Sequence, residues 1–576
     1  MSSAARQVEL RVLDGPNLYF PRPAIKLRLH VPGWMRASEA KIREVGERLG
    51  VRAALEHPGA PNSEQRRRVV ARIGAGLTRA IAHRSGARRL AVRGRPGPAP
   101  DQIVIAFPWR RRAAAQTLAE EVTAAMAASL RRSPNRIVVE AAVRIAGADP
   151  GPEPSVPDPD IRVIQVTGTN GKTTTVRLLA HIVRTAGLRV AYSSTDGVFR
   201  GDGRLVRRGD YSGFGGAAMA LDRHPDVAVL EAARGGLLLR GSGVLHNDVA
   251  VVTNVSEDHL GLQGIDTVDQ LAEVKSIITR ITRPDGWDVL NADDPRVLAM
   301  RRHASGRSWL FSMDPDHPAL REVLARGGRA ISVLDGRMTC FEGSTTRSLV
   351  ALIDVPVTLA GISRINAQNA LAAAAAALAV GLSRRAVVDG LRSFVMDATR
   401  NPGRANLFLL DGRIVFIDYA HNEAGMIGLT EALRGLCRPG REVWLAICTA
   451  GDRTDDILQS FAFRAAVGSD HLAIAELAHY LRGRTRDDII AQLRTGAARA
   501  GADQVAVYDD ELTALKAMMN ATRSGDVVSV TALGMRPQIF RWLRRSGATP
   551  LSVADVRRLV RRAATERGRR ASLPGG

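Results

Sequence analysis

The stretch IRVIQVTGTNGKTTTVRLLAHIV, residues 161 to 183, constrains the fold more than any other part of the chain. An apolar, strand-like run passes through GTNGK into a helical pattern, so the loop lies where a helix N-terminus presents free backbone amides. Gly171-Lys172-Thr173 ends this loop as a Walker A loop ends, yet the glycine expected five places before Gly171 falls at Val166. The order of strand, turn and helix favours a phosphate cradle over a chance Gly-Lys-Thr turn.

After Ile161 strand and helix alternate, with RVAYSS, VAVLEAA and DVAVVTNV as further apolar runs, the pattern of a parallel sheet covered on both faces. A second series begins near Asn406 with NLFLL, RIVFIDYA, EVWLAIC, HLAIAE, QVAVY and DVVSVTAL, and reads as a smaller α/β domain. Residues 1–135 differ, mixing short strands (VELRVL, AIKLRLHV, DQIVIAF) with two long helical patterns, an α+β arrangement. A chain of 576 residues is too long for one core. The expected class is therefore α/β: an α+β domain (1–135), a linker (136–160) rich in Pro and Gly from 146, a parallel-sheet P-loop central domain (161–398), a Rossmann-like C-terminal domain (399–548) and a basic tail (549–576).

The formal net charge of +23 suggests a polyanionic partner, but no stretch interleaves basic residues with aromatics as a single-strand binder would. Nucleic acid is thus disfavoured as a partner, and the tail 557–576 is expected to be a solvated, partly disordered helix. Arginine far outnumbers lysine; only Lys26, Lys41, Lys172, Lys275 and Lys516 occur, which draws attention to any lysine near a motif. Cys340, Cys437 and Cys448 have neither zinc nor disulfide spacing and fit a reducing cytoplasm. MSSAARQVELRV lacks the apolar core of a signal peptide. The longest apolar run, ALAAAAAALAVGL (370–382), falls short of the ~20 residues of a membrane span and reads as a buried helix, so no membrane partner is expected.

Glu231 ends the strand VAVLE, and Asp258 and His259 stand just beyond DVAVVTNV. Strand ends on the carboxyl side of a parallel sheet are where ligands bind, so Glu231 and His259 are candidates to converge on a metal near the phosphates.

The shortened GTNGKT loop, together with EAARGG and NVSEDHLGL, resembles the Mur ligase superfamily, which includes the folylpolyglutamate synthetases. The resemblance implies ATP and Mg2+ as cofactors. It implies that Gly168, Thr169, Asn170, Gly171 and Thr174 shape the cradle, that Lys172 neutralises the β and γ oxygens, and that Thr173 helps hold magnesium with Glu231 and His259. Lys275, sixteen residues after His259, stands where these ligases often carry a carbamylated lysine that binds a second magnesium. By the same resemblance Asn366 and Asn369 contact adenine, Arg404 a phosphate and Asp418 the ribose; Ile365 replaces the family's histidine before the asparagines. Thr195, Asp196, Gly197, Tyr211, Ser212 and Arg234 are implied as holders of the acidic substrate, with His421 assisting.

Within the superfamily, SSTDGVF, GDYSG, VLNADDP, NPGRANLF and AGDRTDD are most similar to the Mur-ligase half of the cyanophycin synthetases over roughly 161–545, and LDGPNLYFPRP resembles their amino-terminal domain more weakly. Where that family has an ATP-grasp domain, this chain has only the linker. The implied activity is an ATP-dependent acid–amino acid ligase joining arginine or a related amine to an acidic peptide or polymer such as poly-aspartate. Poly-aspartate synthesis is not expected of this chain alone, so a separate ATP-grasp partner is open. So is a homo-oligomer. The rival reading is a non-catalytic binder of a polymer or of such a partner.

Overall fold

The computed structural model describes residues 5–87, 89–201, 203–258, 260–476 and 480–571. They fall into two compact units, one formed by residues 1–159 with the short returns 213–218 and 232–246, the other by the rest of the chain.

The first unit is built on a four-stranded antiparallel sheet in the spatial order Arg6–Leu13, Ala24–His30, Gln102–Pro108, Arg93–Pro96. Period-two alternation turns Ile25, Leu27, Leu29, Ile103, Ile105 and Phe107 to one face, where helices Glu64–Arg84 and Arg112–Ala128 cover them. The guanidinium of Arg66, wholly buried, donates to the backbone carbonyls of Trp34, Ala37, Pro58 and Gly59, which satisfies a charge that would otherwise be costly to bury. Helix Pro134–Ala146 packs on the same bundle through Ile137 and Ala141, so the segment expected as linker begins as a helix and lacks helix and strand only from 147 to 161.

In the second unit the first sheet has eleven strands, and its seven inner ones are parallel. Strand Arg162–Thr167 lies between Val227–Glu231 and Asn247–Val252, near the middle. The chain fills the sheet outward in both directions from this strand, which leaves a crevice at its carboxyl end. Helix Arg364–Ala379, the alanine run, is buried as expected: Ala370 and Ala372 through Ala377 have no exposed surface. Small side chains let it lie close to the helix Lys172–Thr185 that comes after the loop. Gly390, in helix Arg384–Ser393, serves the same end, since a Cβ there would lie 2.8 Å from Ile182 Cα.

The second sheet of this unit has seven strands, with the parallel series Ala506–Tyr508, His471–Ala475, Val443–Ile447, Val527–Thr531 and Arg413–Asp418. Its antiparallel edge is Asn406–Leu410 with Thr549–Pro550 outside it. The basic tail differs from expectation. Helix Val553–Ala571 buries Val556, Val560 and Ala563, and Arg567 donates to the carbonyls of Arg434 and Cys437 at the end of helix Glu423–Leu436. Its apolar positions recur at helical spacing, so the charged residues line the outer face of a docked helix. Among the described residues no helix is long and apolar enough to cross a membrane.

His181 gives this fold a pH dependence. Its Nδ1 accepts from Arg184 Nη2 (2.9 Å), and its Nε2 donates to Ser393 Oγ (2.8 Å), which itself donates to the Asp389 carbonyl. Burial, then the charges of Arg184 and Arg400, lower its pKa from 6.5 to about 4. The unfolded chain therefore takes up a proton that the folded chain refuses, and stability falls as pH drops from about 6.5 towards 4. Urea unfolding of His181→Gln is expected to show a shallower loss of stability across this window than the wild type; parallel curves would remove His181 as the cause.

Candidate active site

The loop after strand Arg162–Thr167 is built so that neighbouring side chains can lie directly against its backbone. Gly168 has φ 151° and Gly171 φ 87°; a Cβ would lie 1.9 Å from Thr253 Oγ1 at the first and 2.1 Å from Asn369 Oδ1 at the second. Both positions thus exclude any side chain, for space as well as for conformation. The segment Thr253–Ser256 holds the loop in place. Asn254 accepts at its carbonyl from Thr169 N (2.9 Å) and at Oδ1 from Asn170 N (2.9 Å), while Thr253 Oγ1 donates to Asn170 O (2.6 Å). Ser256 N in turn donates to Thr169 Oγ1 (3.0 Å).

Two of the five lysines meet here. Lys172 Nζ donates to Thr169 O (2.8 Å), and Lys275, 3% exposed, donates to Gly168 O (2.7 Å). Beside them Glu231, also 3% exposed, accepts from Thr173 Oγ1 (2.9 Å), from Thr195 Oγ1 (3.1 Å) and from Thr195 N (3.4 Å). Two hydroxyls and a carboxylate are hard oxygen donors of the kind Mg2+ takes, and the donors that meet Glu231 among the described residues are neutral. His259 lies outside the described residues, and among those described no group of three His, Cys, Asp or Glu side chains gathers as a ready metal seat. Asp258 is placed: Arg453 Nη2 lies 3.3 Å from its Oδ1 and His421 Nε2 3.8 Å from its Oδ2.

The C-terminal sheet brings its residues to the same loop. Arg404 Nη2 donates to Thr173 Oγ1 (3.3 Å), with its guanidinium 4.8 Å from the Tyr419 ring centre. Asp418 accepts from Ala405 N (2.8 Å) and Ala420 N (2.9 Å); burial pushes its carboxyl up, opposed by these amides and by Arg404. Asn170 and Asn422 exchange amide hydrogen bonds of 3.0 and 3.1 Å, joining the loop to the first turn of helix Glu423–Leu436.

Asn369, 2% exposed, sits under the loop against Gly171 and donates to Asn366 Oδ1 (3.1 Å), while Asn366 keeps some exposed surface. Ile365 has its own reason: it packs on Gly428, where a Cβ would lie 2.2 Å from Ile365 Cδ1. Thr174 Oγ1 accepts from Asn401 Nδ2 (3.4 Å). Both oxygens of Asp196 are engaged, by Arg177 (2.8 Å) and Arg536 (2.7 Å). Gly197 lies against the carbonyl of Arg207, whose Nε donates to the Tyr211 hydroxyl (3.2 Å). Ser212 N donates to Asp210 Oδ1 (3.0 Å). Arg234 begins helix Arg234–Leu239, in the unit that carries the amino-terminal sheet.

Sequence motifs do not point to Arg177, Asn401, Asn422, Arg453 or Arg536. Arg177 leaves one trace, a charge inside the apolar run VRLLAHIV of a helix that must be buried. Asn401 and Arg453 lie within NPGRANLF and AGDRTDD, Asn422 directly follows His421, and Arg536 lies outside these motifs; no spacing in them reveals a partner hundreds of residues away.

Comparison with known proteins agrees with this geometry. The family profile described as Mur ligase middle domain matches residues 166–377, and that described as Mur ligase, glutamate ligase domain matches 403–534. The cyanophycin synthetase of Geminocystis herdmanii is 40% identical over 367 residues, 64% of this chain and 41% of that protein. That of Synechocystis sp. is 38% identical over 371 residues, covering 64% and 42%. The chain thus spans about two-fifths of the length of these relatives. The UDP-N-acetylmuramyl-tripeptide synthetase of Deinococcus radiodurans is 27% identical over 67% of this chain and 75% of that protein. Among solved structures, E. coli FolC in complex with DHPP and ADP has a TM-score of 0.50 at 20% identity, covering 68% of this chain and 90% of its own. A bifunctional folylpolyglutamate synthase/dihydrofolate synthase with Mn, AMPPNP and L-glutamate bound has a TM-score of 0.51 at 18% identity, covering 66% and 89%. At these identities the two structures bear on the fold alone. The glycine-shaped loop, the order of the strands around it and the two matched domains lead to one conclusion: the chain belongs to the Mur ligase family.

Proposed function

We propose that the protein is an ATP-dependent acid–amino acid ligase of the cytoplasm that joins arginine or a related amine to an acidic peptide or polymer such as poly-aspartate. The observation that carries this reading is the buried pair Thr173 and Glu231 at the mouth of the loop, joined by the exposed Thr195, with Lys172 and Arg404 beside it. A pure binding module has no use for a carboxylate buried next to a phosphate cradle.

In this reading the substrate carboxylate takes the γ-phosphoryl group of ATP, ADP departs, and the amine then displaces phosphate to leave an amide. The protein contributes position and charge rather than a nucleophile. Lys172 leaves the Thr169 carbonyl for the phosphate oxygens, and Arg404 adds a second cation from the other domain. Thr173 and Glu231 would hold Mg2+, which when bound neutralises phosphate charge. By resemblance His259 completes that set, and Lys275, if carbamylated, would present carboxylate oxygens for a second ion. Asn366 has surface left to meet the base, and Asn369 would support it from beneath the loop. Asp418 stands for the ribose. Thr195, Gly197, Tyr211, Ser212 and Arg234 are assigned to the acid, with His421 assisting; Asp196, expected with them, has both oxygens taken by Arg177 and Arg536 instead.

The amino-terminal sheet offers a place to dock a polyanion. On its outer face Glu9 is shared by Arg11 (2.7 Å), Lys26 (3.2 Å) and Arg28 (3.3 Å). Arg93 and Arg95 on the next-but-one strand lie over Phe20 and Tyr19. Three cations share the one carboxylate of Glu9, so this part of the face is mainly positive, which favours an acidic chain.

Purified protein with Mg-ATP, poly-aspartate or other acidic peptides, and arginine or other amines is expected to give products heavier by one amino acid residue, with matching ADP by mass spectrometry. Lys172→Ala should lower the rate roughly a hundredfold or more. Binding of acceptor with neither ADP nor product would instead favour a binder that works with a separate ATP-grasp enzyme. Replacing Arg28, Arg93 and Arg95 by Gln together should weaken binding of labelled poly-aspartate about tenfold at low salt without changing nucleotide affinity. Unchanged anisotropy titrations would remove this face as the dock.

A further inference from the structure

Asp196 belongs to the loop after strand Val190–Ser194, yet its two oxygens face different parts of the second unit. Oδ2 accepts from Arg177 Nη2, on the helix that succeeds the phosphate loop. Oδ1 accepts from Arg536 Nη2, on the first turn of helix Arg536–Arg545 beyond the last parallel strand of the C-terminal sheet. Each arginine also grips the connection between the two sheets. Arg177 Nη1 donates to Arg400 O (3.2 Å), and Arg536 Nη1 donates to Pro402 O (3.0 Å). Gly403 leaves no room beside Arg536, since a Cβ would lie 2.5 Å from its Cδ. Burial opposes the charge on Asp196, but the cations of Arg404, Arg177 and Arg536 outweigh it and hold the carboxyl below its ordinary range.

Asp196 is joined directly to the reaction group. The preceding residue, Thr195, donates from both its hydroxyl and its amide to Glu231, which also takes the Thr173 hydroxyl. Arg536 is aimed from behind as well. Glu511, wholly buried, accepts from the amides of Leu533 (2.7 Å), Gly534 (2.8 Å) and Met535 (2.7 Å), the three residues that lead into Arg536. Met535 precedes a helix whose apolar side, Ile539 and Leu543, is fully buried, so the helix keeps its seat without the arginine.

We propose that Arg536 is a positioning residue for the reaction: by holding Asp196 it makes the Thr195–Glu231–Thr173 group complete only when the C-terminal domain is seated on the phosphate loop. The proposal rests on the ligase reading for its kinetic consequence, but not for its structural one. A domain that delivers the amine then also sets the geometry for phosphoryl transfer, which keeps the acid from being activated before the site is closed to water.

The test uses the full chain and four variants: Arg536→Ala, Arg536→Lys, Asp196→Asn and the double variant Arg536→Ala with Asp196→Asn. Without any substrate, Arg536→Ala should speed amide hydrogen exchange in 194–200 while exchange in the core strand 162–167 stays as in the wild type. Asp196→Asn should do the same, and the double variant should be no faster than either, since both remove one interaction. In ligation, Arg536→Ala should lower kcat roughly ten- to a hundredfold with little change in KM for ATP, and Arg536→Lys should recover part of it. Unchanged exchange at 194–200 in Arg536→Ala, additive effects in the double variant, or a loss confined to KM would each overturn the proposal. If the wild type ligates nothing, the ligase reading falls, and the exchange comparison still decides whether Arg536 holds Asp196.

Discussion

The close approach of the Thr253 and Asn369 side chains to bare backbone at Gly168 and Gly171 is the constraint on which the rest of this structure depends. This loop must have no side chain where Thr253 and Asn369 press against it. Those neighbours come from the segment after strand Asn247–Val252 and from the buried alanine helix, so both must be placed to within a few tenths of an ångström. Parallel strands on either side of Arg162–Thr167 and small residues across the helix Arg364–Ala379 meet that demand through packing, which in a protein interior leaves little slack.

Around that loop charge is arranged unevenly. Glu231 meets neutral hydroxyls, whereas Asp196, one residue from Thr195, sits among three arginines. A carboxylate whose hydrogen-bond donors are neutral is suited to a metal ion, and one clamped by guanidinium groups is suited to holding parts of the protein together. Both lie near the same mouth, and so the site combines a place for charge to arrive with a brace that charge does not disturb. The Asp196–Arg536 pair, its side chains 17% and 25% exposed, aligns the two elements that carry it.

Much of the fold is legible in the chain because it rests on local pattern. Alternating apolar runs mark the strands, the alanine run reads as a buried helix, and the strand, loop and helix around GTNGKT stand together in 23 consecutive residues. The helix Pro134–Ala146 falls partly within the expected linker because the Pro and Gly just after it dominate that composition, and the tail reads as solvated because its charges outnumber the three small apolar contacts that dock it. Lys172, Thr173, Lys275, Asn369 and Arg404 lie on or against the loop, whereas Tyr211 and Ser212 meet Arg207 and Asp210. Residues that act through distant partners are not legible in this way.

By itself the sequence determined the α/β class, the strand, loop and helix around GTNGKT and the family, since each depends on residues adjacent in the chain or repeated at a fixed period. Tertiary structure alone decided that Asn422 pairs with Asn170, that Ile365 rests on Gly428, and that Arg177 and Arg536, 359 positions apart by their numbering, share Asp196. The physical reason is that such contacts come from how two sheets are brought against one loop, and no local propensity records which side chains will then lie within hydrogen-bond distance.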